Sequence, residues 1–262
     1  QIAANLASEP RVIVPRVYTD LSTQRVLVLE RGMGVPLSDG ESLRQAGHEA
    51  LIRRRSGLVL DPYFSASKYR WLLRNTRGIG SALKAGNVAA GTIDSFLIWQ
   101  LTAGGSHVTD ISNASRTSLM NIDSVDWDPQ LLELFEVPGS ILPRIVPSSG
   151  VLGHTRGVAG LPDGIPISGV AGDQQAALFG QACFAPGDVK CTYGTGSFIV
   201  MNTGAQPVLS DSGLLTTVAW QLGEGSRPVY ALEGGAVICG AAVQWLRDGL
   251  GIIRSAAEVE AL

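Results

Sequence analysis

The sequence has little lysine, little cysteine and no long apolar run. Three lysines, Lys68, Lys84 and Lys190, stand against 17 arginines, and none of the three follows a glycine. The Gly-Lys-Ser/Thr signature is therefore absent, which excludes the P-loop NTPases. The three cysteines are odd in number and far apart, so they fit thiols of a reducing compartment better than disulfides or a zinc site. Since no run of about 18 apolar residues and no leader pattern occurs, the sequence predicts a soluble, cytoplasmic protein.

The composition is that of a folded globular protein. Of 262 residues, 45% are hydrophobic and 16% are charged, which excludes wholesale disorder and leaves room for one large domain or two modest ones. The formal net charge of −3 argues against nucleic acid or an anionic membrane as a partner, so any phosphate chemistry must be local. The three histidines are isolated and lack metal-ligand spacing, so no protein-held metal site is expected.

Residues 1–48 differ in pattern from the rest of the chain. Two β-favouring runs, residues 11–14 and 25–29, flank a turn-rich stretch and predict a short hairpin. A helix is expected to start at Asp39 and to run towards Leu51. The three arginines at 53–55 are expected on a solvated helix face.

From Asp61 onwards the pattern is mixed α/β. Helices are predicted over Ser65 to Arg74, after a cap formed by Thr92 and Asp94, and after Asp128-Pro129. A short apolar strand over residues 165–171 passes through Gly172 directly into a helix. Further strands are predicted around residues 189–193, 197–202, 214–220 and 228–232, followed by a helix from about Gly235 to Asp248. Because short glycine turns join these strands, antiparallel pairing is expected.

Asp173 is the first candidate for chemistry. It follows a strand and opens a helix, at the edge of an α/β sheet that usually faces a ligand. A carboxylate there can accept a proton from a bound hydroxyl group. The alternative is an ordinary helix N-cap.

The segment 192–197 is the second candidate. Its Gly194-Thr195-Gly196 core predicts a tight turn whose backbone N–H groups and threonine hydroxyl can approach a phosphate closely. A purely structural turn is the alternative. The small residues around Gly240 permit close approach of a flat ligand, although close helix packing explains them equally well.

Residues 50–262 resemble the glycerol kinases of the FGGY carbohydrate-kinase family. Five segments carry the resemblance: residues 56–65, 91–99, 109–117, 171–181 and 192–196. The resemblance implies a ribonuclease-H-like fold, shared with actin and sugar kinases, in which a cleft between two domains holds ATP, Mg²⁺ and glycerol. The string at 172–181 favours glycerol over the substrates of the pentulose and hexulose kinases of this family.

The resemblance also implies roles for individual residues. Asp173 is similar to the catalytic base that takes a proton from the glycerol hydroxyl. Gln174 and Tyr63 match hydroxyl-binding residues, and Phe198 matches an apolar wall against the glycerol carbons. Arg116 lies in a family motif and is interpreted as structural. The residues that match nucleotide contacts are Gly194, Thr195, Gly196, Gly240 and Gln244.

Three family features are absent from the sequence. They are an aspartate-led phosphate loop at the start of the chain, an Arg-Glu pair that holds the polyol, and a final glycine-rich nucleotide loop. We therefore expect a truncated fold: residues 49–182 as the second half of the first FGGY domain, and residues 183–262 as the start of the second.

Residues 1–48 resemble the strand pair and hinge of the ABC1/UbiB atypical kinase-like family, without its catalytic motifs. The junction near residues 47–51 indicates a fused or misassembled reading frame, with a divergent native hairpin as the alternative.

Four functions follow as hypotheses. The first is an ATP-dependent glycerol kinase in an incomplete form with weak or no activity alone. The second is a non-catalytic remnant that binds a ligand or a partner, and the third is a kinase for another polyol or sugar. An ABC1/UbiB-type kinase ranks last. Exposed apolar faces at the truncation would favour homo-oligomers.

Overall fold

The computed structural model describes residues 47–236 and 238–261. The hairpin expected within residues 1–48 and the start of the helix expected at Asp39 lie outside the described residues, apart from Gly47 and His48. The chain forms two compact units. The described part of the larger unit comprises residues 47–192 and 198–235, and that of the smaller comprises residues 193–197, 236 and 238–261.

The α-helices are short, and most occur before residue 181. In chain order they are α1 Glu49–Ser56, α2 Ser65–Asn75, α3 Ile79–Lys84, α4 Ile93–Leu101, α5 Ile111–Ala114, α6 Pro129–Leu134, α7 Asp173–Gly180 and α8 Gly240–Trp245. Single 3-10 turns occupy Gly139–Ile141 and Ala256–Ala261, and a π-helical turn occupies Leu246–Leu250.

Among the described residues, ten strands form small sheets. They are β1 Val108–Asp110, β2 Met120–Asn121, β3 Asp126–Trp127, β4 Arg144–Val146, β5 Ser149–His154, β6 Pro166–Gly169, β7 Val189–Tyr193, β8 Ser197–Gly204, β9 Leu215–Trp220 and β10 Val229–Ala236. The largest sheet has the order β7-β8-β10-β9, with β9 and β10 antiparallel. Strands β1 and β4 pair in parallel, whereas β2–β3 and β5–β6 are antiparallel pairs. The mixed α/β prediction is confirmed.

Apolar side chains fix the two helices that later form the site. Leu178 anchors α7 in a buried cluster with Val200 and Trp220 from the large sheet. Ile98 anchors α4 against Val108 and other residues of the β1–β4 pair. Burying such side chains contributes roughly 1.5–3 kcal/mol each, so these contacts hold both helices firmly.

Several predicted elements are confirmed, and three details are wrong. The helix expected from Gly235 starts only at Gly240, because strand β10 continues through Ala236. Thr92 is the N-cap residue of α4, but its hydroxyl oxygen accepts no N–H of the helix, so the expected side-chain cap does not form. The hydroxyl donates to the Asp94 carboxylate instead.

The arginines at 53–55 were expected to be solvated, and only Arg54 is fully exposed. Arg55 donates to the buried Asp128 carboxylate, 3.2 Å away, and Arg53 donates to the Ser210 carbonyl. The interpretation of the run as a solvated face is therefore wrong for two of its three members.

Candidate active site

A cleft of about 940 Å³ opens on the larger unit. Residues from α4, from the loop before α2, from β10 and from the β6–α7 turn line it. Its chemistry-bearing lining residues are Tyr63, Asp94, Arg116, Asp173, Gln174, Phe198 and Glu233. All four residues that the resemblance assigned to the polyol, Tyr63, Asp173, Gln174 and Phe198, therefore line the same cleft.

Asp173 is the first helical residue of α7, and its side chain is exposed. Gly172 is the N-cap residue and makes no side-chain cap bond. The Asp173 Oδ1 atom accepts the backbone N–H of Gln174 at 2.8 Å, and Oδ2 accepts the Gln174 carboxamide at 3.4 Å. The interpretation of Asp173 as an N-cap is therefore wrong, and its carboxylate keeps capacity to accept further hydrogen bonds from the cleft.

A buried hydrogen-bond network sets the turn before Asp173. The Asp110 carboxylate accepts the Ser112 hydroxyl at 2.7 Å, and that hydroxyl oxygen accepts the Gly172 N–H at 2.8 Å. A Cβ atom at Gly172 would lie 2.6 Å from the Gln175 Oε1 atom. A side chain at position 172 would therefore displace the Gln175 carboxamide, which is buried and donates to the Thr217 hydroxyl at 3.3 Å.

A buried lysine, Lys190, donates a hydrogen bond to the Gln174 side chain. Lys190 is 1% exposed, and its ammonium donates to the Gln174 Oε1 atom and, at 2.9 Å, to the Thr192 hydroxyl. Burial lowers the pKa of Lys190, and the negative charges of Glu233 and Asp173 act in the opposite direction. The positive charge of Lys190 therefore interacts electrostatically with both carboxylates.

Arg116 and Glu233 form an ion pair in the cleft. Their closest N–O distance is 2.8 Å, and the guanidinium also lies 5.3 Å from the centre of the Phe64 ring. The Arg116 Nη1 and Glu233 Oε2 atoms are buried and have no hydrogen-bond partner among the described residues. Unsatisfied buried polar atoms are rare and call for an explanation. Arg116, interpreted as structural from the sequence, is thus part of the cleft lining.

The remaining cleft residues differ in exposure. Tyr63 is 69% exposed and stands edge-on to the buried Phe64, with ring centres 5.4 Å apart. Phe198 is half-buried at the start of β8. Asp94 is buried, and its carboxylate accepts the Thr92 hydroxyl and, at 2.8 Å, the Thr109 hydroxyl. The Asp94 carboxylate is therefore engaged in hydrogen bonds within the protein, whereas the Tyr63 ring is exposed to solvent.

The predicted nucleotide contacts lie in the smaller unit. Gly194 and Thr195 accept the N–H groups of Gly240 and Cys239 at 2.9 and 2.8 Å, so the 194–196 turn caps the start of α8. A Cβ atom at Gly240 would lie 2.5 Å from the Gly194 carbonyl oxygen. Close packing therefore explains Gly240, as the alternative proposed. The side chains of Thr195 and Gln244 are exposed.

A second cavity of about 500 Å³ lies in the larger unit. It is mainly apolar, with Tyr69, Leu72, Phe96 and Trp99 among its lining residues and no carboxylate. No helix within residues 47–236 and 238–261 has the length and apolarity needed to span a bilayer. Within the same residues, no three or more His, Cys, Asp or Glu side chains form a cluster that could hold a metal ion.

Models of known families match most of the chain. The model of the FGGY family of carbohydrate kinases, N-terminal domain, matches residues 38–180, more than half of the chain. The chain belongs to the FGGY family of carbohydrate kinases. The C-terminal domain model of this family matches residues 189–262. The ABC1 atypical kinase-like domain matches residues 1–65, in agreement with the second resemblance.

Curated proteins with similar sequences include glycerol kinases. The chain is 58% identical over 222 residues to a glycerol kinase of Bdellovibrio bacteriovorus, covering 85% of this chain and 45% of the relative. It is 60% identical over 222 residues to a glycerol kinase of Alkalilimnicola ehrlichii, covering 85% and 44%. The chain thus spans about half the length of the curated relatives it matches.

Among solved structures, the Plasmodium falciparum glycerol kinase with ADP matches with a TM-score of 0.77 and 36% identity, covering 84% of this chain and 44% of the other. A xylulose kinase from Rhodospirillum rubrum matches with a TM-score of 0.68 and 24% identity, covering 84% and 44%, which shows the fold alone. The expected sugar-kinase fold, present in part, is therefore confirmed.

Sequence reasoning missed three members of the site. Lys190 and Glu233 lie on strands far from Asp173 in sequence, and Arg116 was not assigned to the cleft. One signal was available for Lys190: it is one of only three lysines, and it stands in the strand predicted around residues 189–193. A lysine at such a position is rare unless it has partners.

Proposed function

We propose that this chain carries the polyol-binding part of an ATP-dependent glycerol kinase, which converts glycerol and MgATP to sn-glycerol 3-phosphate and ADP. One observation carries the proposal: the exposed Asp173 carboxylate opens α7 inside a cleft that also contains Gln174, Tyr63 and Phe198. The similarity to glycerol kinases at 58–60% identity supports this substrate over other polyols.

The proposed chemistry uses the carboxylate as a general base. Asp173 accepts the proton of a terminal glycerol hydroxyl while that oxygen bonds to the γ-phosphorus of MgATP. The bond from this phosphorus to the β–γ bridging oxygen breaks, and ADP leaves. Gln174 and Tyr63 bind the other hydroxyls, and Phe198 packs against the carbon chain. Mg²⁺ enters with ATP as part of the substrate and neutralises its phosphate charge.

The nucleotide contacts are proposed for residues of the smaller unit. Thr195, with Gly194 and Gly196, would contact phosphate, and Gly240 and Gln244 would contact the nucleotide. The domain division at residues 48/49 and 182/183 also stays a proposal. The cytoplasm is the proposed location, because the odd number and wide spacing of the three cysteines fit a reducing compartment.

An ADP-release assay with glycerol tests the proposal. We expect weak glycerol-dependent ADP release by the wild-type chain, which spans about half the length of its relatives. In Asp173→Asn we expect a further loss of about 10²-fold or more, since general-base catalysis contributes roughly 10²–10⁴-fold. Asp211→Asn is the matched control, because Asp211 is also exposed and does not line the cleft. Turnover that survives Asp173→Asn would contradict the assigned base. A substrate panel of glycerol, xylulose and gluconate distinguishes a kinase for another polyol.

A binding function without catalysis is the second candidate. The chain spans about half the length of its relatives, and phosphoryl transfer depends on positioning from both sides of a cleft. Calorimetry that shows glycerol or ATP binding without phosphorylation would support this function. Light scattering tests the expected homo-oligomers.

A further inference from the structure

Lys190 is an unusual residue for a protein with so few lysines. Its side chain, on β7, is 1% exposed, and its ammonium contacts the Gln174 carboxamide and the Thr192 hydroxyl. Burying a charged group is costly unless it is paired and hydrogen-bonded. An apolar residue would fill the same strand position without that cost. The lysine therefore calls for a role beyond packing.

The chemistry of the two groups gives the contact a direction. An ammonium has three donors and no acceptor, so it can bind only the oxygen end of the Gln174 carboxamide. The nitrogen end must then point away from Lys190. In the structure this nitrogen faces the Asp173 Oδ2 atom at 3.4 Å. Lys190 thus selects one of the two orientations of the carboxamide.

Charge reinforces the same arrangement. The negative charges of Glu233 and Asp173 favour the protonated form of Lys190, which has the three ammonium donors. Removing the ammonium would leave Gln174 free to turn over. That change would take the carboxamide nitrogen away from the proposed base.

We propose that Lys190 is a positioning residue for the polyol site: it holds the Gln174 carboxamide with its nitrogen towards Asp173 and the cleft. This proposal rests on the proposed function and assigns no contact between Lys190 and substrate. Its contribution would be lost whenever Gln174 is absent, because Lys190 acts through that side chain.

A double-mutant cycle tests this coupling. We expect Lys190→Met to weaken glycerol binding about tenfold, the equivalent of one properly placed hydrogen bond. Gln174→Met should weaken binding at least as much, and the double variant should bind no more weakly than Gln174→Met alone. Lys84→Met is the matched control, since Lys84 is exposed at the end of α3 and should leave affinity unchanged. Additive losses, or unchanged affinity in Lys190→Met, would overturn the proposal.

A second measurement needs no substitution at Lys190, in case that variant does not fold. With lysine ¹⁵Nζ labelling, the wild-type chain should show one slowly exchanging ammonium signal among its three lysines, and Gln174→Met should accelerate that exchange. Three rapidly exchanging lysines, or exchange that ignores residue 174, would overturn the proposal. Wild-type protein that binds no glycerol would instead remove the proposed function, while this signal would still decide the Lys190–Gln174 contact.

Discussion

Two aspartates stand at strand-to-helix turns of the same unit, and their surroundings are opposite. Asp110 ends β1 and caps α5, and it is 0% exposed. Its oxygens accept hydrogen bonds from Ser112, Asn113 and Ser148 at 2.7–3.0 Å. Asp173 begins α7, is exposed, and accepts bonds from Gln174 alone among the described residues. The two aspartates thus stand at similar positions in the sequence but differ in their hydrogen bonds. The oxygens of Asp110 are occupied by protein donors, whereas Asp173 can accept further hydrogen bonds.

The difference separates a structural group from a chemical one. A carboxylate whose oxygens are already bonded inside the protein cannot accept a proton from a ligand without breaking its own network. The two are nevertheless connected, because the Ser112 hydroxyl bonds both the Asp110 carboxylate and the Gly172 N–H. The buried aspartate therefore fixes the turn that presents the exposed one.

The largest expected effect falls on activity at Asp173. Asp173→Asn should lower glycerol-dependent turnover by about 10²-fold or more and change the free energy of unfolding by less than about 0.5 kcal/mol, because the side chain is exposed. Coupled turnover and urea denaturation measure the two quantities. A stability loss as large as that of Asp110→Ala would break the comparison.

The next effect falls on stability at Asp110. Asp110→Ala removes a helix cap and leaves donors of the buried Ser112 and Ser148 and of the half-buried Asn113 without their acceptor. We expect a loss of about 3 kcal/mol in the free energy of unfolding. Urea denaturation checks this value, with Asp163→Ala, a substitution of an exposed loop residue, as the control. A loss below that of the control would contradict a structural role.

A smaller effect is expected at the turn that joins the two aspartates. Gly172→Ala would place a Cβ atom 2.6 Å from the Gln175 Oε1 atom, so the buried glutamine must shift. We expect about 1–2 kcal/mol of destabilisation and weaker glycerol binding. Gly180→Ala, at the end of the same helix and with open space around it, is the matched control and should be neutral. Equal effects of the two substitutions would contradict the tight turn.

The smallest effect is a dependence of stability on pH. Burial raises the pKa of Asp110, despite the bonds it accepts, so its contribution to stability is greatest below its unfolded pKa and declines as pH rises through its folded pKa. The pKa of Asp128 is shifted in the opposite direction. Burial acts to raise its pKa, but hydrogen bonds from Asn121 and the α6 N–H groups, with the Arg55 charge, lower it overall.

The contribution of Asp128 is therefore present above its unfolded pKa and is lost as pH falls through its folded pKa. Denaturation of wild type, Asp110→Asn and Asp128→Asn between about pH 3 and about pH 7 compares them. We expect the advantage of wild type over Asp110→Asn to shrink with rising pH and that over Asp128→Asn to grow. Parallel curves would contradict these signs.

Local sequence signals predicted the strand-to-helix turn at Asp173. The residues of the site that the sequence did not predict are placed by contacts between segments that are distant in sequence. The β6–α7 turn and the Asp128-Pro129 helix start were predictable, since caps, proline and apolar runs act locally. Glu233 was not, because the glycines that follow it favoured a helix start, whereas pairing with β9 keeps the segment extended. The Lys190–Gln174 contact joins a strand and a helix 16 residues apart, and no periodicity reports it.

Carboxyl ¹³C NMR during a glycerol titration tests the central claim most directly, since it needs no turnover. With labelled aspartate and with signals assigned by Asp173→Asn and Asp110→Asn, we expect the Asp173 carboxyl signal to shift as glycerol binds and the Asp110 signal to stay in place. Glycerol binding that leaves the Asp173 signal unmoved would contradict the account.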